Sequence, residues 1–346
     1  MADQTPATKL QTEQLIADIL GTIERERERE IVARRFGLFD RKETLEQIGE
    51  LLGITRERVR QLEKSVVTRL KSAAEQQSLP QIESFQTQVT EYLETVGTVA
   101  RVSKITAHLV DESNRIEQAR VSFVSQLCPE LIVINEDDHF HNSVALKADR
   151  DEKQLKAAVA TVIDAIKKLG EPKDIEAIAK AANFTDATET EALASTSKAL
   201  ATLNNRWGLI KWPMVNPKNI RDKIYVILKE NGKHMHFNEI AEAIKDSDFK
   251  RKDVTTQAIH NELIKDKRFV LIGRGIYALR EWGYKKGTVA DIISEVLREA
   301  GEPLHRDEIV KRVLKSRFVK ETTILLNLQG KSQFKRVAKA TYELAE

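Results

Sequence analysis

The 346-residue chain is 41% hydrophobic and 32% charged with only 14 glycines and 7 prolines, a composition that suits a helix-rich globular protein of two or more domains. A single cysteine, Cys128, excludes a disulfide framework and a multi-cysteine zinc site, no apolar run approaches the ~18 residues of a membrane span, and residues 1–5 lack a signal-peptide pattern, so a cytoplasmic chain is expected. Charge is uneven: residues 1–80 are neutral, residues 81–216 carry −5 and residues 217–346 carry +8, which suits a polyanion or an acidic protein partner for the last part.

Residues 24–30 alternate Glu and Arg, the pattern of a solvated helix with local ion pairs. Thr44 to Leu52 then reads as a short helix with Leu45, Ile48 and Leu52 on one face. Gly53 and Ile54 supply a tight turn, and Thr55 is a good N-cap for a second helix from Arg56 to Lys71. Two helices joined this way make a helix-turn-helix. In the second helix Val59, Leu62, Val66 and Leu70 form an apolar face, whereas Arg56, Glu57, Arg60, Gln61 and Lys64 lie opposite. Arg, Glu and Gln are the residue types that pair with guanine, cytosine and adenine edges in the major groove, and the first two turns of a recognition helix are where such contacts form.

Polar or proline-containing joints at residues 75–80, 148–152, 213–217 and 283–287 divide the chain into segments 1–80, 81–149, 150–216, 217–284 and 285–346. The last four share a plan. Each opens with an amphipathic helix closed by a glycine, at Gly97, Gly170, Gly232 and Gly301. A second helix follows, as at Phe237 to Ile244 and Arg306 to Val313, and then a third, as at Thr256 to Leu263 and Thr323 to Leu328. Hairpin strands are expected at Leu131 to Ile134 with Ser143 to Leu146, at Leu209 to Trp212, at Phe269 to Ile272 with Ile276 to Leu279, and at Phe334 to Val337 with Tyr342 to Leu344. Three helices closed by a two-stranded wing is a winged-helix pattern. The expected fold class is therefore mainly α, an N-terminal helix-turn-helix followed by tandem winged-helix domains.

The run Thr44, Leu45, Glu46, Gln47, Ile48, Gly49, followed by Gly53, Ile54, Thr55, Arg56, Glu57, Arg58, Val59, Arg60, Gln61, Leu62, Glu63, closely resembles region 4 of bacterial primary sigma factors. The upstream residues 29–38, with Arg35, Phe36, Gly37 and Leu38 at their end, resemble that family's preceding helix, so the likeness covers roughly residues 12–72. In that family the domain reads the minus-thirty-five promoter element and docks on the flap of RNA polymerase. The resemblance implies base contacts for Arg56, Glu57 and Gln61, phosphate or mixed contacts for Arg58 and Arg60, and positions near the DNA backbone for Arg35, Thr44 and Leu45. The sequence holds no aromatic cluster of the kind with which the family melts promoters, so an accessory or partial sigma-like factor is expected rather than an ordinary one.

Residues 218–283, through Phe237, Asn238, Glu239, Ile240 and Ala241, Ile259 to Leu263, and Phe269 to Leu279, resemble the HARE-HTH winged-helix module. That family includes the N-terminal domain of the polymerase delta subunit, and residues 288–346 resemble it less closely. Arg274, between Gly273 and Gly275, is either a groove or phosphate contact or part of a plain hairpin turn.

The pairs His139/His141 and His234/His236 have no third ligand nearby, so no metal is expected. Cys128 is expected to be buried and inert, and Trp207, Trp212 and Trp282 to pack in the wings. No phosphate-binding loop, nucleophile elbow or metalloprotease motif occurs, so neither enzyme activity nor a cofactor is expected. The expectation is a nucleoid-associated transcription factor whose partners are double-stranded DNA and the RNA polymerase core. Its rivals are a polymerase-independent DNA-binding regulator or chromosome-organising protein, and a scaffold that has lost DNA binding.

Overall fold

The computed structural model describes residues 9–148, 150–251 and 253–345; the start of the chain read for a signal peptide and the joint residue Asp149 lie outside the described residues. The chain divides into two compact units, residues 1–210 and 211–346. Both are mainly helical with small antiparallel sheets, consistent with winged-helix folding.

The first unit opens with α1 (Thr12–Gly21), α2 (Glu26–Phe36), α3 (Leu45–Leu52) and α4 (Arg56–Glu75). From there the order helix, short strand, helix, helix, hairpin sets in. It first comprises α5 (Pro80–Val96), β1 (Val99–Arg101), α6 (Val102–Leu109), α7 (Arg115–Leu127), β2 (Leu131–Ile134) and β3 (Ser143–Leu146). It continues with α8 (Glu152–Leu169), α9 (Ile175–Ala182), α10 (Ala187–Thr196), β4 (Leu200–Leu203) and β5 (Arg206–Leu209), where the short strand is reduced to a bridge between Lys173 and Trp207.

The second unit repeats the order twice. First come α11 (Ile220–Asn231), β6 (Met235–His236), α12 (Phe237–Asp246), α13 (Thr256–Lys265), β7 (Phe269–Gly273) and β8 (Ile276–Leu279). Then follow α14 (Val289–Ala300), β9 (Leu304–His305), α15 (Arg306–Ser316), α16 (Glu321–Gly330), β10 (Phe334–Ala338) and β11 (Thr341–Leu344). In each three-stranded sheet the last strand lies in the middle, as in β1-β3-β2, β6-β8-β7 and β10-β11-β9. The four glycines read as helix ends are left-handed C-caps of α5, α8, α11 and α14.

One hairpin departs from its expected place. The apolar run Leu209 to Trp212 does not form the strand; β4 and β5 lie earlier and are joined by Asn204 and Asn205, both with positive φ. Asparagine tolerates the left-handed conformation that a two-residue hairpin turn demands, so this pair fixes the register instead of the apolar run. Trp207 thereby sits on β5 and is buried, while Trp282 packs against Val270, Ile272 and Ala278 of the next hairpin.

The core of the first unit does not stop at residue 80. A single cluster joins Leu15, Ile16 and Ile19 of α1, Val32 of α2, Val66 and Leu70 of α4, Phe85 and Val89 of α5, and Val121, Phe123 and Val124 of α7. Phe36 meets Phe123 with ring centroids 4.8 Å apart. Arg120 on α7, itself buried, donates to the Leu38 carbonyl at 2.8 Å and pairs with Glu117 at 2.8 Å and Glu13 at 3.2 Å. Cys128 is buried at the end of α7, where desolvation pushes its thiol up to about 12.

Candidate nucleic-acid interface

Local chemistry places α3 and α4 before any long-range contact is needed. Thr44 and Gln47 form a reciprocal capping box at the start of α3, with bonds of 3.2 and 2.9 Å. The helix ends at left-handed Gly53, and the Ile54 N–H donates to the Gly49 carbonyl at 3.0 Å. Thr55 then accepts from the Arg58 backbone N–H at 3.2 Å and starts α4. Gly49 sits where the turn folds back on the helix: a Cβ there would lie 2.7 Å from the Ile54 carbonyl oxygen. A small separate core of Ile31, Ile48 and Val59, flanked by Leu45, Leu52, Ile54 and Leu62, sets the crossing of α2, α3 and α4.

That packing turns the other face of α4 outward. Arg56, Glu57, Arg58, Arg60, Gln61 and Lys64 are all exposed. Glu57 organises the face: Arg60 donates to its two carboxylate oxygens at 2.8 and 2.6 Å, and the Gln61 amide donates to it at 3.2 Å. The Arg60 hydrogen bonds hold the Glu57 carboxyl well below the usual range, at about 2. Arg58 reaches Gln61 from the flank at 3.4 Å. The result is a row of long side chains that offers both donors and acceptors at the first two turns of an exposed helix.

The other residues singled out in the sequence have different settings. Arg35 is half-buried, donating to Glu63 of α4 at 3.2 Å and to the Glu43 carbonyl at 3.2 Å, so it braces α2 against α4. Thr44 is the α3 cap, and Leu45 packs against the small core. Arg274 is exposed at the β7–β8 turn of the second unit, next to left-handed Gly275.

The Glu/Arg run is only partly a solvated face. Arg25–Glu28 and Glu30–Arg34 are local pairs as expected, but Glu28 is just 6% exposed and also pairs with Arg69 of α4. Arg27 donates to the Leu52 carbonyl at the end of α3. Arg27 and Glu28 of the run therefore tie α2 to the helix-turn-helix. Alternation along one helix could not reveal this, because the partners lie 25 and 41 residues away. Glu43, Glu63 and Arg120 escaped sequence reasoning for the same reason.

The histidine pairs have structural partners. His236 accepts from the Asn238 N–H at the start of α12, and the His234 ring packs at a tilt against Phe318 with centroids 4.4 Å apart. The backbones of His139 and His141 bridge to Lys198 and Thr196 at 2.8 Å each. No helix among the described residues is long and apolar enough to cross a membrane.

Comparison with known proteins matches the sequence of this segment to a family. Residues 25–72, which hold α2, α3 and most of α4, match the model of Sigma-70, region 4. Over 67 residues the chain is 43% identical to RNA polymerase sigma factor sigB of Arabidopsis thaliana, covering 19% of this chain and 11% of that protein. Over 49 residues it is 51% identical to RNA polymerase sigma factor RpoD of Helicobacter pylori, covering 14% and 7%. Over 66 residues it is 46% identical to RNA polymerase sigma factor SigA of a Bacillus species, covering 19% and 17%. The chain thus spans less than a fifth of the length of these relatives, and the likeness is confined to one segment. Within that limit the assignment is plain: residues 25–72 are a Sigma-70 region 4 domain.

Proposed function

We propose that the chain is an accessory, partial sigma-like transcription factor that reads a minus-thirty-five-type promoter element through α4 and docks on the flap of the RNA polymerase core. The observation that supports this reading is the exposed face of α4 inside a Sigma-70 region 4 domain. Arg56, Glu57 and Gln61 contact bases; Arg58, Arg60 and Lys64 contact phosphates or both; Arg35, Thr44 and Leu45 hold the helix pair beside the DNA backbone. Arg274 adds a phosphate contact. To accept from a cytosine, Glu57 exchanges its bonds from Arg60 and Gln61 for one from the base, which frees Arg60 for phosphate. The later segments are tandem winged-helix domains, the last two HARE-HTH-like, and the protein works in the cytoplasm at the nucleoid without enzyme activity or cofactor. Several small contact surfaces on one chain gain affinity by tethering.

Replacing Arg56 and Gln61 by Ala tests the site. Each lost base contact costs ~1–3 kcal/mol of discrimination, so the double variant binds its promoter element roughly 30-fold or more weaker while unrelated DNA is little affected. Equal binding of both sequences by wild type and variant sinks the assignment. Purifying tagged protein from its host after nuclease treatment tests the polymerase partner. Near-stoichiometric large polymerase subunits are expected. Background levels favour the second reading, a polymerase-independent regulator or chromosome-organising protein, to which the +8 charge of residues 217–346 also lends weight.

A further inference from the structure

The two hairpins of the second unit occupy equivalent places and are built differently. β7 carries no charged residue, and its outer edge is taken: the Ile272 carbonyl accepts from the Phe318 N–H at 3.0 Å, and Arg317 donates to the Leu271 carbonyl. β10 is also an edge strand, but no strand pairs with its outer edge among the described residues. Lys335 and Arg336 on β10, Lys331 before it and Lys339 after it are all exposed, and residues 331–339 contain no acid. Among the described residues, Glu343 on β11 is the carboxylate paired across the hairpin, opposite Lys335 at 3.7 Å. Phe334 and Tyr342 are buried beneath and hold the hairpin to its core. Arg336 sits where the register shifts and donates to the Ala338 carbonyl at 3.1 Å, bracing the irregular turn of the strand.

We propose that this last hairpin is a sequence-independent phosphate-binding surface for duplex DNA, a second contact beside α4. The proposal deepens the DNA-binding reading above and rests on it. From Lys335 to Lys339 an extended strand reaches roughly 13 Å, comparable with the ~12 Å width of the major groove, so its cations can meet phosphates on both sides of a groove. Lysines on an open edge also prevent strand-to-strand aggregation. That role needs polar side chains, whereas phosphate binding needs positive charge, and the two are separable.

The test uses the full chain and measures binding to a random-sequence duplex of about 30 base pairs across a salt series. The triple variant Lys335→Gln, Arg336→Gln, Lys339→Gln keeps a polar edge without its charge. With ~0.9 counterions released per phosphate contact, its log–log salt slope falls by about 2–3, and affinity at low salt drops at least roughly tenfold. The charge-keeping variant Lys335→Arg, Arg336→Lys, Lys339→Arg retains the wild-type slope. A control removing the ion-paired Lys285 and Arg312, by Lys285→Gln and Arg312→Gln, changes it by less than about 1. An unchanged slope in the triple variant overturns the proposal and points to an acidic protein partner, as does an equal drop in the control. The Arg56/Gln61 variant, run on the same duplex and on one with a promoter element, separates the two readings. Lost discrimination there with an unchanged triple-variant slope rejects the hairpin alone, and no binding by wild type to either duplex rejects both.

Discussion

Glu57 is held by Arg60 and Gln61 on the open face of α4, and these bonds favour its ionised form. Its carboxyl is depressed to about 2, so its stabilising contribution is complete above the ordinary carboxylate range and fades only as pH falls toward that value. Promoter binding therefore has no Glu57-dependent change between about pH 6 and 8, which anisotropy titrations at both ends will show. His141 is shifted in the same direction, but there the neutral form is favoured and the pH window is higher. Burial, and then the Arg101 and Lys198 cations, lower its pKa, against an opposing pull from Glu136. The unfolded chain therefore binds that proton more readily, and stability falls as pH drops through and below the ordinary histidine range near 6.5. Melting temperature is expected to decline from about pH 7.5 to 5.5, and His141→Asn should flatten part of that decline; an identical pH profile for the variant refutes the role. Gly49 is constrained by contact, not by backbone conformation. Gly49→Ala must push the Ile54 carbonyl away, at ~1–3 kcal/mol, and hydrogen exchange at the Ile54 amide should speed accordingly.

At the level of elements, α4 begins where Thr55 caps it. Thr55→Ala removes the acceptor for the Arg58 N–H and should cost ~1 kcal/mol, read as a lower denaturation midpoint with weakened promoter binding, because the residues proposed to contact bases lie in that first turn and the next. Caps of this kind are legible in sequence because donor and acceptor are three residues apart. The same locality made the exposed face of α4, its apolar opposite and three of the four hairpins readable. The hairpin of β4 and β5 was misplaced because a turn of two asparagines outweighed a longer apolar run. Strands β6 and β9 span only two residues each, too short for alternation to register. Arg35 pairs with Glu63, 28 residues on, a contact that only the packed helices bring about. The second unit holds another close approach of this kind. A Cβ on Gly273 would stand 2.6 Å from the Phe318 carbonyl oxygen, so Gly273→Ala should pry the 317–318 segment from β7. Faster exchange at the Phe318 amide, with the core of α11 and α13 still protected, is the expected signature.

The whole first unit sets a different condition on the region 4 domain. Its helices share one apolar cluster with α1, α5 and α7, and the buried Arg120 fastens the Leu38 turn to α7. Cutting the chain near residue 78 would expose Leu15, Val66 and Leu70 to water and leave the Leu38 carbonyl without its donor. Each fully buried side chain of that size contributes ~1.5–3 kcal/mol, so a few such losses consume most of the net stability of a small domain. The small core of Ile31, Ile48 and Val59 is too limited to replace them. A fragment of residues 1–78 is therefore expected to melt without a cooperative transition, whereas residues 1–210 melt as a unit. Arg120→Ala in the full chain should destabilise that unit by ~2–4 kcal/mol, because it leaves the Leu38 carbonyl without its donor and removes the ion pair to Glu117, which keeps its bond from the Thr12 hydroxyl. If the short fragment unfolds cooperatively with the midpoint of the longer one, the shared core does not support α4. The α4 helix would then owe its stability to the α2–α4 cluster alone.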